Sequence, residues 1–374
     1  MSRRAAAHLA IPAKRPWHNH KPSQRSRPHS GALLVLAVIA GACQLAITEP
    51  VDPWQLQKTS STASLRGLSP VDCLCAYVSG SRGTVLRTVD GGGTWESIGP
   101  AGKQALDFRS VYALDAQHAW IANAGSPAQI YRTSDGGRSW ALVHEDRRAA
   151  AFFDAIAFCD AQHGLVFGDP IDGRMELLAT ADGGEHWRAL ESPELPVAQV
   201  GEAAFAASGT CLVARKAATF VQVTGGAVAR CFCTDDGGLH WQISLLPMAQ
   251  GSPSQGAFAI ALDSGSHLVA VGGDYQAPEV SAGTAAWSGD GGKTFHAANA
   301  GGFRCGVAYL AGCGKWLAVG DLGSSISSDG GKHWRTMPGA GFYAVRCGRD
   351  GSVWACGSGG RVALLSSESL AGVR

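Results

Sequence analysis

One phrase, Ser/Thr-x-Asp-Gly-Gly-x-x-Trp/Phe, recurs six times along the 374-residue chain. It runs from Thr88 to Trp95, Thr133 to Trp140, Thr180 to Trp187, Thr234 to Trp241, Ser288 to Phe295 and Ser327 to Trp334. Its aspartates, Asp90, Asp135, Asp182, Asp236, Asp290 and Asp329, stand 45, 47, 54, 54 and 39 residues apart. A unit of that length cannot build a core alone, but it matches one four-stranded blade of a circular array. The residue types suit a turn between strands. A short hydroxyl and a carboxylate accept from backbone N–H groups that the ladder leaves over, and paired glycines supply positive φ. The closing aromatic opens the next strand and can bury its ring against a neighbouring blade. Composition agrees, since 50 Gly, 11 Trp and 45% hydrophobic residues describe a folded, turn-rich β chain.

Upstream of each turn lies a pair of segments with period-two alternation. They are Leu65 to Val78, Phe108 to Ala122, Phe153 to Phe167, Glu202 to Arg215, Phe258 to Val271 and Phe303 to Val319. A seventh pair, Phe342 to Cys356, is followed by a third strand but by no turn of this type. A ring must close, because an open blade edge invites association. Trp54 to Ser60 reads as the missing outer strand. The expectation is an all-β, seven-bladed propeller over residues 54–374, with its N-terminal strand completing the last blade.

In this topology the first strand of each blade starts, and the second ends, on one face, while the repeated turns lie on the opposite face. The residues entering the inner strands are Arg66, Arg109, Asp154, Glu202, Phe258, Arg304 and Tyr343. The ends of second strands add Asp169, Asp274 with Tyr275, and Asp321. All are expected at one mouth of the central channel, as a candidate binding site for a protein segment or an anionic ligand. Ties between adjacent blades are the competing assignment for the same charges. Arginines there could clamp a carboxylate, and Asp154, Asp169, Glu202 or Asp274 could supply the acid and base of a glycosidase. The alternative function is therefore a sialidase-like hydrolase of acidic glycans, although the arginine motif of sialidases is missing. No cofactor loop or nucleophile motif is present, so no cofactor is expected. The Asp-Gly-Gly strings lack the alternating acids and terminal Glu of a calcium loop, and no metal is expected either.

The repeated turn is the pattern of the Asp-box, or BNR, repeat. Together with SLRGL, GTVLRTVDGG, LDFRSVYALD, GDPIDGR, GEAAFAASGT and GGDY, it makes residues 54–365 resemble the photosystem II stability/assembly factor family and its bacterial BNR-like relatives. That resemblance implies an exported, non-catalytic propeller that assists assembly through an arginine-rich patch. Only Arg66, Arg109 and Arg304 lie on the comparable face. A binding or scaffold role is favoured over an enzyme.

Residues 1–30 carry seven Arg/Lys and no acid, which leaves 24 basic against 30 acidic residues in the remainder. A body of net charge −6 argues against nucleic acid as a partner. Gly31 to Ala42 is an uncharged apolar run, too short to span a bilayer. It reads as the core of a signal peptide over residues 1–42, with an A-x-A site before Cys43. Residues 43–53 would form a linker. The expectations are a periplasmic or envelope location, Cys43 as a possible lipid acceptor and only membrane anchor, and a monomer. Of the other cysteines, Cys347 with Cys356 and Cys305 with Cys313 could meet across hairpins. The C-x-C pairs Cys73/Cys75 and Cys231/Cys233 should each share one face of a strand.

Overall fold

The computed structural model describes residues 52–190, 195–215 and 218–366. The signal segment expected at 1–42 and Cys43 lie outside the described residues. Seven antiparallel blades radiate from inner strands Leu65–Pro70, Phe108–Ala113, Phe153–Phe158, Leu212–Arg215, Gln255–Leu262, Gly306–Leu310 and Ala344–Cys347. These begin blades 1 to 7 in chain order. Each inner strand touches the next, and the seventh touches the first. Trp54–Gln57 pairs antiparallel with Val362–Leu365 as the outer strand of blade 7, Trp54 opposite Leu365. The Trp54 ring packs on Phe342 at 4.8 Å.

The apolar interior is divided into wedges between blades. Trp120 and Ile130 of blade 2 face Phe153, Phe158 and Leu178 of blade 3. Leu317 of blade 6 faces Phe342 and Val345 of blade 7. Each large buried side chain contributes roughly 1.5–3 kcal/mol, so the ring is held by many such faces in series.

The Asp-boxes join the third and fourth strands, and each satisfies itself. In the first, the Thr88 hydroxyl donates to Asp90 Oδ1 at 2.8 Å and accepts from the Gly92 N–H at 2.9 Å. Asp90 also accepts from the Thr94 N–H and hydroxyl. Those bonds, the Thr94 N–H foremost, hold the Asp90 carboxyl down at about 2. The same hydroxyl–carboxylate contact recurs at Asp135, Asp182, Asp236, Asp290 and Asp329. The second glycine of the pair has a further duty that the turn alone does not explain. It lies against the preceding blade: a Cβ on Gly137 would come 2.5 Å from Ile98, and one on Gly184 would come 2.2 Å from Trp120. Box aromatics reach the same way, Trp140 donating its indole N–H to the Ile98 carbonyl at 2.6 Å.

Three expectations need correction. Blade 4 does not begin its inner strand at Glu202. Glu202–Ala203 instead pairs with Gly225–Gly226, which joins the blade 5 sheet through Gly256, and the inner strand waits until Leu212. The cysteines expected to meet across hairpins do not. Cys347 stands opposite Val353 and Cys356 opposite Ala344, at different ends of their hairpin. Cys305 precedes its strand, whereas Cys313 sits in the turn. The ten described cysteines are all free thiols. Cys73 and Cys75 flank a turn before the strand Ala76–Gly80 and differ in exposure. Cys231 and Cys233 do share a strand face, their sulfurs 3.8 Å apart.

Candidate binding site at the channel mouth

The inner strands share a device that the sequence did not reveal. In blades 1, 2, 3 and 5 the ladder skips one residue near the strand start, and the skipped residues are Arg66, Arg109, Asp154 and Phe258. A β-bulge re-aims one side chain out of the pleat. Four of the mouth candidates thus occupy one equivalent position around the ring.

Arg66 is buried, and its guanidinium donates to the Ala207 carbonyl at 3.1 Å and lies 4.0 Å over the Tyr343 ring. Burial lowers its pKa, with the charge of Arg109 adding to the effect. Arg109 is partly exposed and paired with Asp107 at 2.8 Å. Asp321 is open to solvent on one side. The protein on its other side removes enough hydration to raise its carboxyl, despite the attraction of Arg66 and Arg361. Burial likewise raises the Tyr343 phenol. Arg66, Arg109, Asp107, Tyr343, Asp321 and Arg361 therefore form one group.

The remaining candidates are used within the protein. Arg304 is buried and donates to Ser325 Oγ at 2.8 Å and to the Phe303 carbonyl at 2.9 Å. Asp154 is fully buried. Asp169 accepts from the Ala204 N–H at 3.1 Å. Asp274 accepts from the Gln255 side chain and the Gln276 N–H, and Tyr275 stands edge-on to Phe258. Glu202 lies apart from the group, in a buried ion pair: Arg230 donates to it at 2.5 and 2.9 Å and Thr224 at 2.6 Å. A buried carboxylate bound to a guanidinium and a carboxylate sealed from solvent cannot act as the exposed acid and base of a glycosidase. The competing assignment, ties between adjacent blades, thus describes Glu202, whereas Arg304 is held by Ser325 of its own blade and by the segment leading into it.

The largest departure is the channel itself. Residues 204–211, which lead into blade 4, are buried throughout. Ala207 is held by Arg66 of blade 1, and Gly209 by Arg346 of blade 7 at 2.6 Å. Gly209, at φ +65°, also lies against Arg109 and Ser110 of blade 2. Blades 7 and 1 stand across the ring from blade 4, so a segment that touches both must cross the axis. On its way the Phe205 ring stacks on Phe258 at 3.8 Å, and Phe258 meets Phe303 edge-on at 4.8 Å. The segment is a plug that separates the mouth from the box end. Arg346, Arg361 and the plug were missed in the sequence. For the plug the one signal was the 54-residue spacing of Asp182 and Asp236, which exceeds the first interval by nine.

Residues 47–151 match the family described as Photosynthesis system II assembly factor YCF48. No curated protein matches the chain. Among solved structures, YCF48 bound to D1 peptide superposes with a TM-score of 0.60 at 18% identity, covering 87% of this chain and 100% of that one. YCF48 from Cyanidioschyzon merolae gives 0.57 at 17%, covering 84% and 99%. The WD40 propeller domain of Doa1 gives 0.54 at 14%, covering 85% and 98%. At these identities the structures establish the fold. The sequence match is confined to residues 47–151, the first two blades, and there the chain is similar to that family; over the described residues it is a seven-bladed Asp-box propeller.

Proposed function

We propose that this YCF48-like Asp-box propeller is a non-catalytic binding module, an exported scaffold or assembly factor that takes a protein segment at the rim of its channel mouth. The observation that supports it most is Arg66. In the mouth, its guanidinium already holds a main-chain carbonyl of a crossing segment, which is what a peptide-binding surface must do. Around it, Arg109, Asp321, Arg361 and Tyr343 offer charges of both signs and an aromatic face. A partner would meet this rim rather than enter the channel, because the plug occupies the axis. That a solved YCF48 structure holds a D1 peptide agrees with a protein segment as the ligand class. The basic and apolar residues 1–42 support export to the periplasm or envelope, with Cys43 as a candidate lipid acceptor.

The test is capture from the host's envelope fraction with the intact protein and an Arg109→Ala variant of unchanged melting temperature. An envelope protein retained by the first and lost by the second is the expected result. Equal retention by both, or none by either, contradicts the rim site. Cell fractionation that finds the protein in the cytosol contradicts export.

A further inference from the structure

Below the plug, at the end of the channel that carries the Asp-boxes, a well of about 230 Å³ remains. That is the space of about eight liquid waters. Inner-strand residues of blades 2 to 7 line it, among them Tyr112, Phe158, Ala214, Leu262 and Tyr309. No Asp or Glu is among the lining residues, but one cation is. Arg346 gives one nitrogen to the Gly209 carbonyl of the plug, while its Nε is buried with no hydrogen-bond partner. Among the described residues no carboxylate lies within ion-pair distance of it. Arg349, at the outer edge, donates to the Leu114 carbonyl at 2.5 Å, adding a second positive charge near Tyr112.

A half-buried guanidinium with a buried, unbonded Nε and no counter-ion is a costly arrangement. The charge of the guanidinium and the carboxylate-free wall would both be served by an anion, and the aromatic and aliphatic remainder by an apolar body. Depth and size limit that body to about one ring or a short chain. Polar pockets that merely hold water have no need of an apolar wall, and an apolar cavity has no need of a cation at its floor.

We propose that this well is a second binding site, specific for a small carboxylate with an aromatic or aliphatic body, whose anionic group pairs with Arg346. The plug separates it from the mouth, so the two sites can be tested independently.

The probe is 3-phenylpropanoate, titrated calorimetrically into the purified protein beside its neutral analogue 3-phenylpropanamide, with butanoate as a shorter acid. The expected result is saturable one-to-one binding of the acid, at least about tenfold tighter than the amide, as a charge-assisted bond implies. Arg346→Met should erase the difference between acid and amide. Ala214→Phe, which fills the well without touching Arg346, should abolish binding of both while the melting temperature and Arg109-dependent capture persist. Equal affinity for acid and amide, undiminished binding in Ala214→Phe, or no binding of either acid to the intact protein would each overturn the proposal.

Discussion

The two ends of this propeller are built on opposite plans. At the box end, six turns repeat one set of hydroxyl, carboxylate and backbone contacts made between residues two to four apart. At the mouth and through the plug beneath it, the decisive contacts join residues 141 and 137 apart, Arg66 to Ala207 on the mouth side and Arg346 to Gly209 on the far side, and nothing repeats. The difference teaches where function can live in a repeat ring. Identical turns close blades and leave little to vary, whereas a single aperiodic lead-in can divide the channel and give each end its own chemistry.

The sharpest way to break this comparison is at the base of the lead-in. Glu202→Ala leaves Arg230 buried without its partner, and urea unfolding should show a loss of about 3–5 kcal/mol. The joint Glu202→Met/Arg230→Leu replacement should recover much of it. A loss under about 1 kcal/mol for the single change would show that the pair is not a structural tie. Phe205→Ala removes the ring stacked on Phe258 and should cost about 3 kcal/mol. In a double-mutant cycle with Phe258→Ala the two losses should fail to add. Additive losses would mean that the rings do not support each other.

The box end should respond less, and in small equal steps. Thr133→Val takes the hydroxyl from the buried Gly137 N–H, for a loss of about 1–2 kcal/mol. The same change at Thr180 should match it if the turns are interchangeable. Acid titration tests all six together. Their carboxyls are lowered in the folded state, Asp90 to about 2, against roughly 3.9 when unfolded. Their contribution is therefore complete above about pH 4 and is lost as pH falls toward 2. The melting temperature should drop across that interval, and a box variant such as Asp90→Asn should drop less steeply. An unchanged slope would deny the boxes their role. The smallest effect belongs to Arg109→Ala, which breaks a partly exposed pair with Asp107 and should change stability by under about 1 kcal/mol.

How much the sequence disclosed follows the same division. The boxes, the blade count and the borrowed outer strand Trp54–Gln57 were legible because each rests on local chemistry repeated at a regular spacing. Arg66 and Arg109 were placed at the start of their inner strands for the same reason. The fate of their side chains was not legible, since it depends on a partner more than a hundred residues away. Glu202 was misplaced because its alternating neighbours resemble an inner strand, while Gly201, Gly209 and the Gly225–Gly226 strand bend the chain out of that path. Arg304 carried a charge at the expected place, but only packing reveals that Ser325 and the Phe303 carbonyl consume it. Arg346 gave no signal at all, standing mid-strand among apolar residues.

Hydrogen–deuterium exchange over residues 204–211 tests most directly whether the lead-in crosses and closes the channel. The account predicts that these amides exchange as slowly as those of the inner strands Phe153–Phe158 and Gln255–Leu262, and that Arg66→Ala speeds them selectively. Exchange as fast as that of exposed turns, or indifference to Arg66→Ala, would contradict it and leave the channel open from end to end.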